Sequence, residues 1–286
     1  MSRKTRSFCE GLLNDPKKKT LFQIQHVEYY RRALEAQATA RAKAFDLTFL
    51  ADPAQMGALS DVARGEAKRL LRRVRMFGLL AGYTAIALEG APYRRQNILS
   101  LRHSGPRKTI FLHLEGRDPQ AVIKFPNEEL KNGRWLTERG EELEAITIRT
   151  RGAGDLGPEI LSFYLEQIRP LFPEAARTHC LFPPIERAHT SDSSFITGTF
   201  HLWLAEGSAE IGLPLSSHNF RHGYCSIDIN EGRRSMEDLA RIMGDTVATV
   251  QRFYSWIDAK RSVQAVQQDT ARRRAEIALA REGRRG

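Results

Sequence analysis

Residues 60–90, SDVARGEAKRLLRRVRMFGLLAGYTAIALEG, decide how the chain is read. Ser60 is an N-cap residue by type, because its short hydroxyl can accept from an unpaired amide of the first helical turn. Polar and apolar residues then mix with helical spacing as far as Arg75, after which the run from Met76 to Leu88 is almost wholly apolar. A helix that is amphipathic at one end and apolar all round at the other is a helix driven into a core. Gly90 and Pro92 stop it, and a second helix is expected at once over RRQNILSLRH, residues 94–103.

Towards the N-terminus, residues 1–52 combine the basic clusters Lys17-Lys18-Lys19 and Arg31-Arg32 with helix-favouring Ala, Glu and Gln, and Asp52-Pro53 punctuates the chain. This predicts a small helical arm. Towards the C-terminus the texture changes between Thr109 and Ile148, where TIFLHLEG, QAVIKF and RWLTER are short runs separated by Gly-Arg-Asp-Pro and Lys-Asn-Gly. They predict a small antiparallel sheet with Lys131-Asn132-Gly133 at a hairpin tip. Helix is expected again over EILSFYLEQIRPLF, then a Pro-rich linker FPPIERAHTSDSS, then helices to a basic helix or tail ending in ARRRAEIALAREGRRG. The expected fold is therefore α+β but mainly α, with a small antiparallel sheet behind a short helical arm. The expected division is an arm at 1–55, a principal domain at 56–258 and a basic C-terminal helix or tail at 259–286.

Composition narrows the function. The 286 residues carry a formal net charge of +10 and are 41% hydrophobic, enough for a sizeable core and a surface that attracts polyanions. Nucleic acid is the first partner this charge suggests. Cys9, Cys180 and Cys225 are odd in number, widely spaced and lack a CxxC pair, which argues against a disulfide framework or zinc knuckle and fits a reducing compartment. The first residues, MSRKTRSFCEGLLNDPKKK, have charge without a following apolar core, and MFGLLAGYTAIAL is shorter than the roughly 18 residues of a membrane span. A cytoplasmic, nucleoid-associated protein with no membrane segment is expected.

Residues 216–224, SSHNFRHGY, crowd His218, Arg221 and His222 onto one helical face, at i, i+3 and i+4. An HxxxH zinc site would need a third ligand, and the metallopeptidase pattern would need Glu where Asn219 stands. A solvated basic helix face is the plain alternative. A phosphate-binding and proton-transfer cluster accounts for the combination better, since Arg offers two parallel donors to phosphate oxygens and His exchanges protons near neutrality.

HNFRHGY resembles the H-x-x-R signature of the tyrosine recombinases, the phage integrase family, and other stretches fall in that family's order around it. GLLAGYTAIALEGAPYRRQNILSLR is similar to the first arginine box, and its LSLR ending selects Arg94 over Arg95. FPNEELKNGR is similar to the β-hairpin lysine element, with Lys131 before the Asn-Gly turn. LARIMGDTVATVQRFYSWID resembles the last box, whose spacing from Gly244-Asp245 lands on Tyr254. The resemblance covers about residues 60–258 and departs in two places. Asn97 stands where an acidic residue is usual. Asp245 stands where His or Trp is usual, and an ionised carboxylate repels phosphate and cannot donate to it.

The resemblance implies a catalytic domain that cleaves and rejoins double-stranded DNA, with no cofactor, as a site-specific recombinase or integrase assembled as a tetramer on DNA. Its implied site is Arg94, Lys131, His218, Arg221, Asp245 and Tyr254. Tyr254 would attack a phosphodiester to give a 3′-phosphotyrosyl bond and a free 5′-hydroxyl. Arg94 and Arg221 would clamp the non-bridging oxygens. His218 would help ionise the phenol and Lys131 would protonate the leaving oxygen, while His222 would orient the helix or touch phosphate. Asp245 is also expected to cap the helix that carries Tyr254, through the amide of Val247 or Ala248. The alternatives are an inactive or truncated DNA-binding relative from a mobile element, a type IB topoisomerase, and a helix-turn-helix regulator using residues 216–242.

Overall fold

A computed structural model describes the backbone of residues 1–130, 133–152 and 154–282, and their side chains except those of Trp135, Asp258, Lys260, Arg261, Ser262, Gln264, Ala265 and 277–282. The first helices are set by their caps. Ser2 accepts from the Thr5 amide to open α1 (Arg3–Asn14), and Asp15 accepts from the Lys17 and Lys18 amides, with Pro16 in the first turn, to open α2 (Pro16–Ala42). Two short helices follow, α3 (Leu47–Leu50) and α4 (Pro53–Gly57).

Ser60 caps α5 (Asp61–Ala85), whose apolar half is buried from Met76 onward. The helix widens into a π turn over Ile86–Gly90, and α6 (Arg95–Leu99) follows it. α5 is the axis of the molecule. Tyr29 of α2 lies 6.3 Å from Phe77, ring to ring, and a Cβ on Gly78 would stand 2.6 Å from Ile168, so only glycine lets the 164–168 turn come so close.

The sheet is antiparallel in the order β1 (Ile110–His113), β2 (Gln120–Ile123), β3 (Ile146–Arg149). Ile110 pairs with Ile123 and Ala121 with Ile148, and all four are buried, so one face of the sheet lies on the core. Between β2 and β3 lies α7 (Gly133–Glu138), and beyond β3 come α8 (Gly157–Phe163), α9 (Thr197–Glu210), α10 (Ser217–Asn230), α11 (Met236–Met243) and α12 (Val247–Glu282). The architecture is mainly helical with a small antiparallel sheet, as the sequence led us to expect. Leu12, Phe22 and Tyr29 of the first two helices share one apolar cluster with Leu80 of α5, Phe220 of α10 and Tyr254 of α12.

One local expectation is corrected. RWLTER forms α7 rather than a strand, held by the Arg134–Glu138 pair at i,i+4 and by the Thr137 hydroxyl donating to the Gly133 carbonyl. The third strand is instead ITIR, where Ile148 supplies the buried position. Lys131 lies outside the described residues. The hairpin tip expected at Lys131-Asn132 lies outside them too; the described chain on either side is a 3₁₀ turn over Asn127–Glu129 and α7, within the connection between the antiparallel strands β2 and β3.

Candidate functional site

The end of α11 and the start of α12 bring the Tyr254 helix into place. A capping box between Ser235 and Asp238 opens α11, and Gly244 closes it in the left-handed region at φ 59°, ψ 41°, a conformation that costs glycine little. The cap of α12 is Thr246, whose hydroxyl accepts from the Thr249 amide at 3.2 Å. The capping role expected of Asp245 therefore belongs to its neighbour, and the Asp245 carboxylate is free to turn elsewhere.

It turns between two guanidinium groups. Arg94, at the residue before α6, donates to Asp245 Oδ1 at 3.0 Å, and Arg221, one turn into α10, donates to Oδ2. Arginines 127 positions apart in sequence thus converge on one anion. Asp245 is 10% exposed and Arg221 17%, so this pair is little screened, whereas Arg94 is 36% exposed. Arg221 Nη1 is buried without a hydrogen-bond partner, leaving one donor of the fork unused. A carboxylate gripped by two arginines carries the same unit negative charge as a phosphodiester.

Around this clamp lies a cavity of about 520 Å³, lined by Arg94, Arg95, His218, Arg221, Asp245 and Tyr254, with Tyr83 and Phe220 among its apolar walls. Of the six residues singled out from the sequence, five are brought to one cavity and the sixth, Lys131, lies outside the described residues. His218 is exposed at the rim. Tyr254 is buried, 2% exposed, and its hydroxyl lies 2.8 Å from Nδ1 of His222. Burial raises the Tyr254 phenol well above its ordinary value, Cys225 alongside adds to the rise, and Arg221 opposes it. Burial, with the positive charges of Arg221 and the chain's amino terminus, lowers the His222 imidazole to about 4. Both shifts favour a neutral phenol beside a neutral imidazole at neutral pH.

The amino-terminal helix closes the back of this pair. Arg6 stacks on Trp256 at 5.0 Å, Cys9 is fully buried, and Gly223 lets α10 approach Phe22 and Leu12, which a Cβ there would meet at 2.9 and 3.1 Å.

Sequence reasoning missed three polar residues beside the clamp. Arg95 Nη1 donates to the Ser217 hydroxyl at 2.9 Å and also contacts His201 Nε2, and Ser217 Oγ lies 3.3 Å from His201 Nδ1. The Arg94-Arg95 doublet was the available signal, but choosing one arginine hid the other. His201, in TFHLW, carried no signal at all.

Among the described residues no group of His, Cys, Asp and Glu is arranged to hold a metal ion, and no helix is long and apolar enough to cross a membrane. No protein-family model matches the chain, and no curated protein does. Among solved structures the chain is similar to a XerH site-specific recombinase bound to palindromic difH substrate in a post-cleavage complex, at 15% identity and a TM-score of 0.42. The match covers 77% of this chain and 50% of the recombinase chain, so this chain spans about half the length of that relative.

Proposed function

We propose that the chain is a DNA strand transferase of the tyrosine recombinase type, working as a homo-oligomer on double-stranded DNA, with residues 56–258 as the catalytic unit, 1–55 as an arm and 259–286 as a basic tail. The observation that carries this reading is the convergence of Arg94 and Arg221 on a single anion in the cavity that also holds the Tyr254 phenol. Each residue type has a task there. The phosphodiester takes the place of the Asp245 carboxylate and the two arginines stabilise the charge that grows on its non-bridging oxygens. The Tyr254 oxygen attacks phosphorus, the bond from phosphorus to the 5′ oxygen breaks, and a 3′-phosphotyrosyl linkage forms. The phenolic proton passes to the adjacent His222 imidazole, which the geometry favours over His218 as the immediate acceptor. The leaving 5′ oxygen takes a proton from Lys131, a role that rests on the sequence resemblance alone. Rejoining is the same path reversed.

The test is covalent capture. A duplex nicked beside the cut loses the short released fragment, so the protein should remain attached to DNA on a denaturing gel, and Tyr254→Phe should abolish the adduct. No adduct across a broad set of duplexes, including the DNA flanking its own coding region, sinks the reading.

A second reading is supported by two features of the same site: the clamp already holds an internal carboxylate, and the phenol is buried. These favour a DNA-binding relative that does not cut. Retained duplex binding with no adduct at any site would select it.

A further inference from the structure

We infer that Arg95, His201, Ser217 and His218 form a phosphate-binding subsite, separate from the Arg94–Arg221 clamp, that takes a backbone phosphate of the bound DNA strand. The inference rests on the DNA-binding part of the function proposed above, but three of its four residues, Arg95, His201 and Ser217, are used by neither the sequence resemblance nor the strand-transfer chemistry, and only His218 belongs to the resemblance's implied site.

Three separate elements build the subsite. Arg95 is the first residue of α6, His201 lies on the first turn and a half of α9, and Ser217 and His218 open α10. Thr197 of α9 donates to the Gln96 side chain at 3.2 Å, which ties α9 to α6 beside the cluster. Arg95, Ser217 and His201 are all in mutual hydrogen-bond contact, and Arg95 Nε is buried with no partner, a donor with nothing to donate to. His218 stands at the rim, lining both the clamp cavity and the adjoining one over Pro214 and Leu215.

Charge points the same way. Among the described residues no carboxylate pairs with Arg95, His201 or His218, and the one carboxylate lining the cavity, Asp245, is engaged by Arg94 and Arg221. Burial, then Arg95 and His218, lower His201 below its ordinary value, so the imidazole already registers an excess of positive charge. The first-turn amides of α10, a helix of 14 residues, add unpaired donors and the positive end of the helix dipole at Ser217 and His218. A cluster built on an arginine that has no carboxylate partner among the described residues and keeps a buried donor unused is complementary to a phosphate oxyanion. A DNA backbone and a free phosphate share that chemistry, and the experiment below separates them.

Duplex binding is measured against KCl concentration for the full chain and for Arg95→Gln, with His201→Gln as a second variant on a different element, and folding of each is checked by its thermal transition. Losing one phosphate contact should weaken binding about tenfold at low salt and flatten the plot of log affinity against log salt by about 0.9. In parallel the His201 ring is titrated by NMR, its signal identified by its loss in His201→Gln, with and without inorganic phosphate. A bound phosphate should move the titration upward. If the wild type binds duplex and both variants bind it with unchanged affinity and salt dependence, the subsite is overturned, whatever the covalent-capture assay shows. Loss of duplex affinity in the variants supports it even where no adduct forms, because phosphate contact does not require cleavage. If the wild type binds no duplex, a DNA phosphate is overturned as the occupant and the strand-transfer reading falls with it. In that case an upward shift of His201 would assign the cluster to free phosphate instead.

Discussion

The two halves of one cavity carry similar cations and treat them in opposite ways. Arg94 and Arg221 hold a carboxylate of the chain itself, so the clamp is occupied and one of its two positive charges is neutralised. Arg95, the next residue along the backbone, holds a serine and a histidine and meets no carboxylate among the described residues. The difference teaches that charge count alone does not mark an anion site. An internal anion makes a clamp stable and hard to enter, while an uncompensated cluster is left ready for a ligand at some cost in self-repulsion.

The sharpest way to break this contrast is Asp245→Ala, which makes the first half resemble the second. Arg221, little exposed, loses its partner while facing Arg94, so the variant should lose about 3 kcal/mol of stability, with the better-solvated Arg94 contributing the smaller share. Urea unfolding reads the loss. Sulfate should restore part of it by refilling the clamp, and wild type should gain less from the same salt. Equal responses of the two proteins to sulfate would show that the clamp does not take external anions.

Acid should act next. His222 is held near 4 in the fold against an ordinary 6.5, so the unfolded chain binds the proton more readily. The stability this contributes is fully present above about pH 6.5 and is lost as pH falls towards 4, by roughly 2 kcal/mol. His103 is also lowered to about 4 by burial, so the two should be separated by comparing wild type with His222→Gln, whose stability profile should be flatter over this window. An unchanged profile would mean the ring beside Tyr254 is not held neutral by the fold.

The smallest effect belongs to the uncompensated half. Arg95→Gln removes a cation that acts against protonation of His201, so its cost in stability should stay within about 1 kcal/mol of zero, in contrast to Asp245→Ala. His201 should titrate higher in that variant, but not at its ordinary value, because burial is the larger cause of its lowering. NMR titration of the ring decides this.

Much of the framework was readable in advance because it is written in local chemistry. Ser60 caps α5 as its type suggests, the apolar run from Met76 is buried, and Gly90 ends the π turn. The positions that misled were short. RWLTER is too brief for its periodicity to separate helix from strand, and its i,i+4 ion pair and the Thr137 back-bond tip it to helix. Asp245 and Thr246 are both cap-forming types standing side by side, and sequence offers no way to choose between them. The choice follows from Arg94 and Arg221, which claim the carboxylate and leave the threonine to the amide.

By itself the sequence determined the helical character, the presence of a small sheet and the order of chemically distinct residues from Arg94 to Tyr254, because caps, turns and apolar spacing act over a few residues. Only the tertiary structure decided that His222 rather than His218 meets the Tyr254 hydroxyl, that Asp245 fills the arginine clamp, and that Arg95 stands with His201. Those outcomes depend on distance through space between elements far apart in the chain, where Coulomb forces and desolvation act without regard to sequence separation.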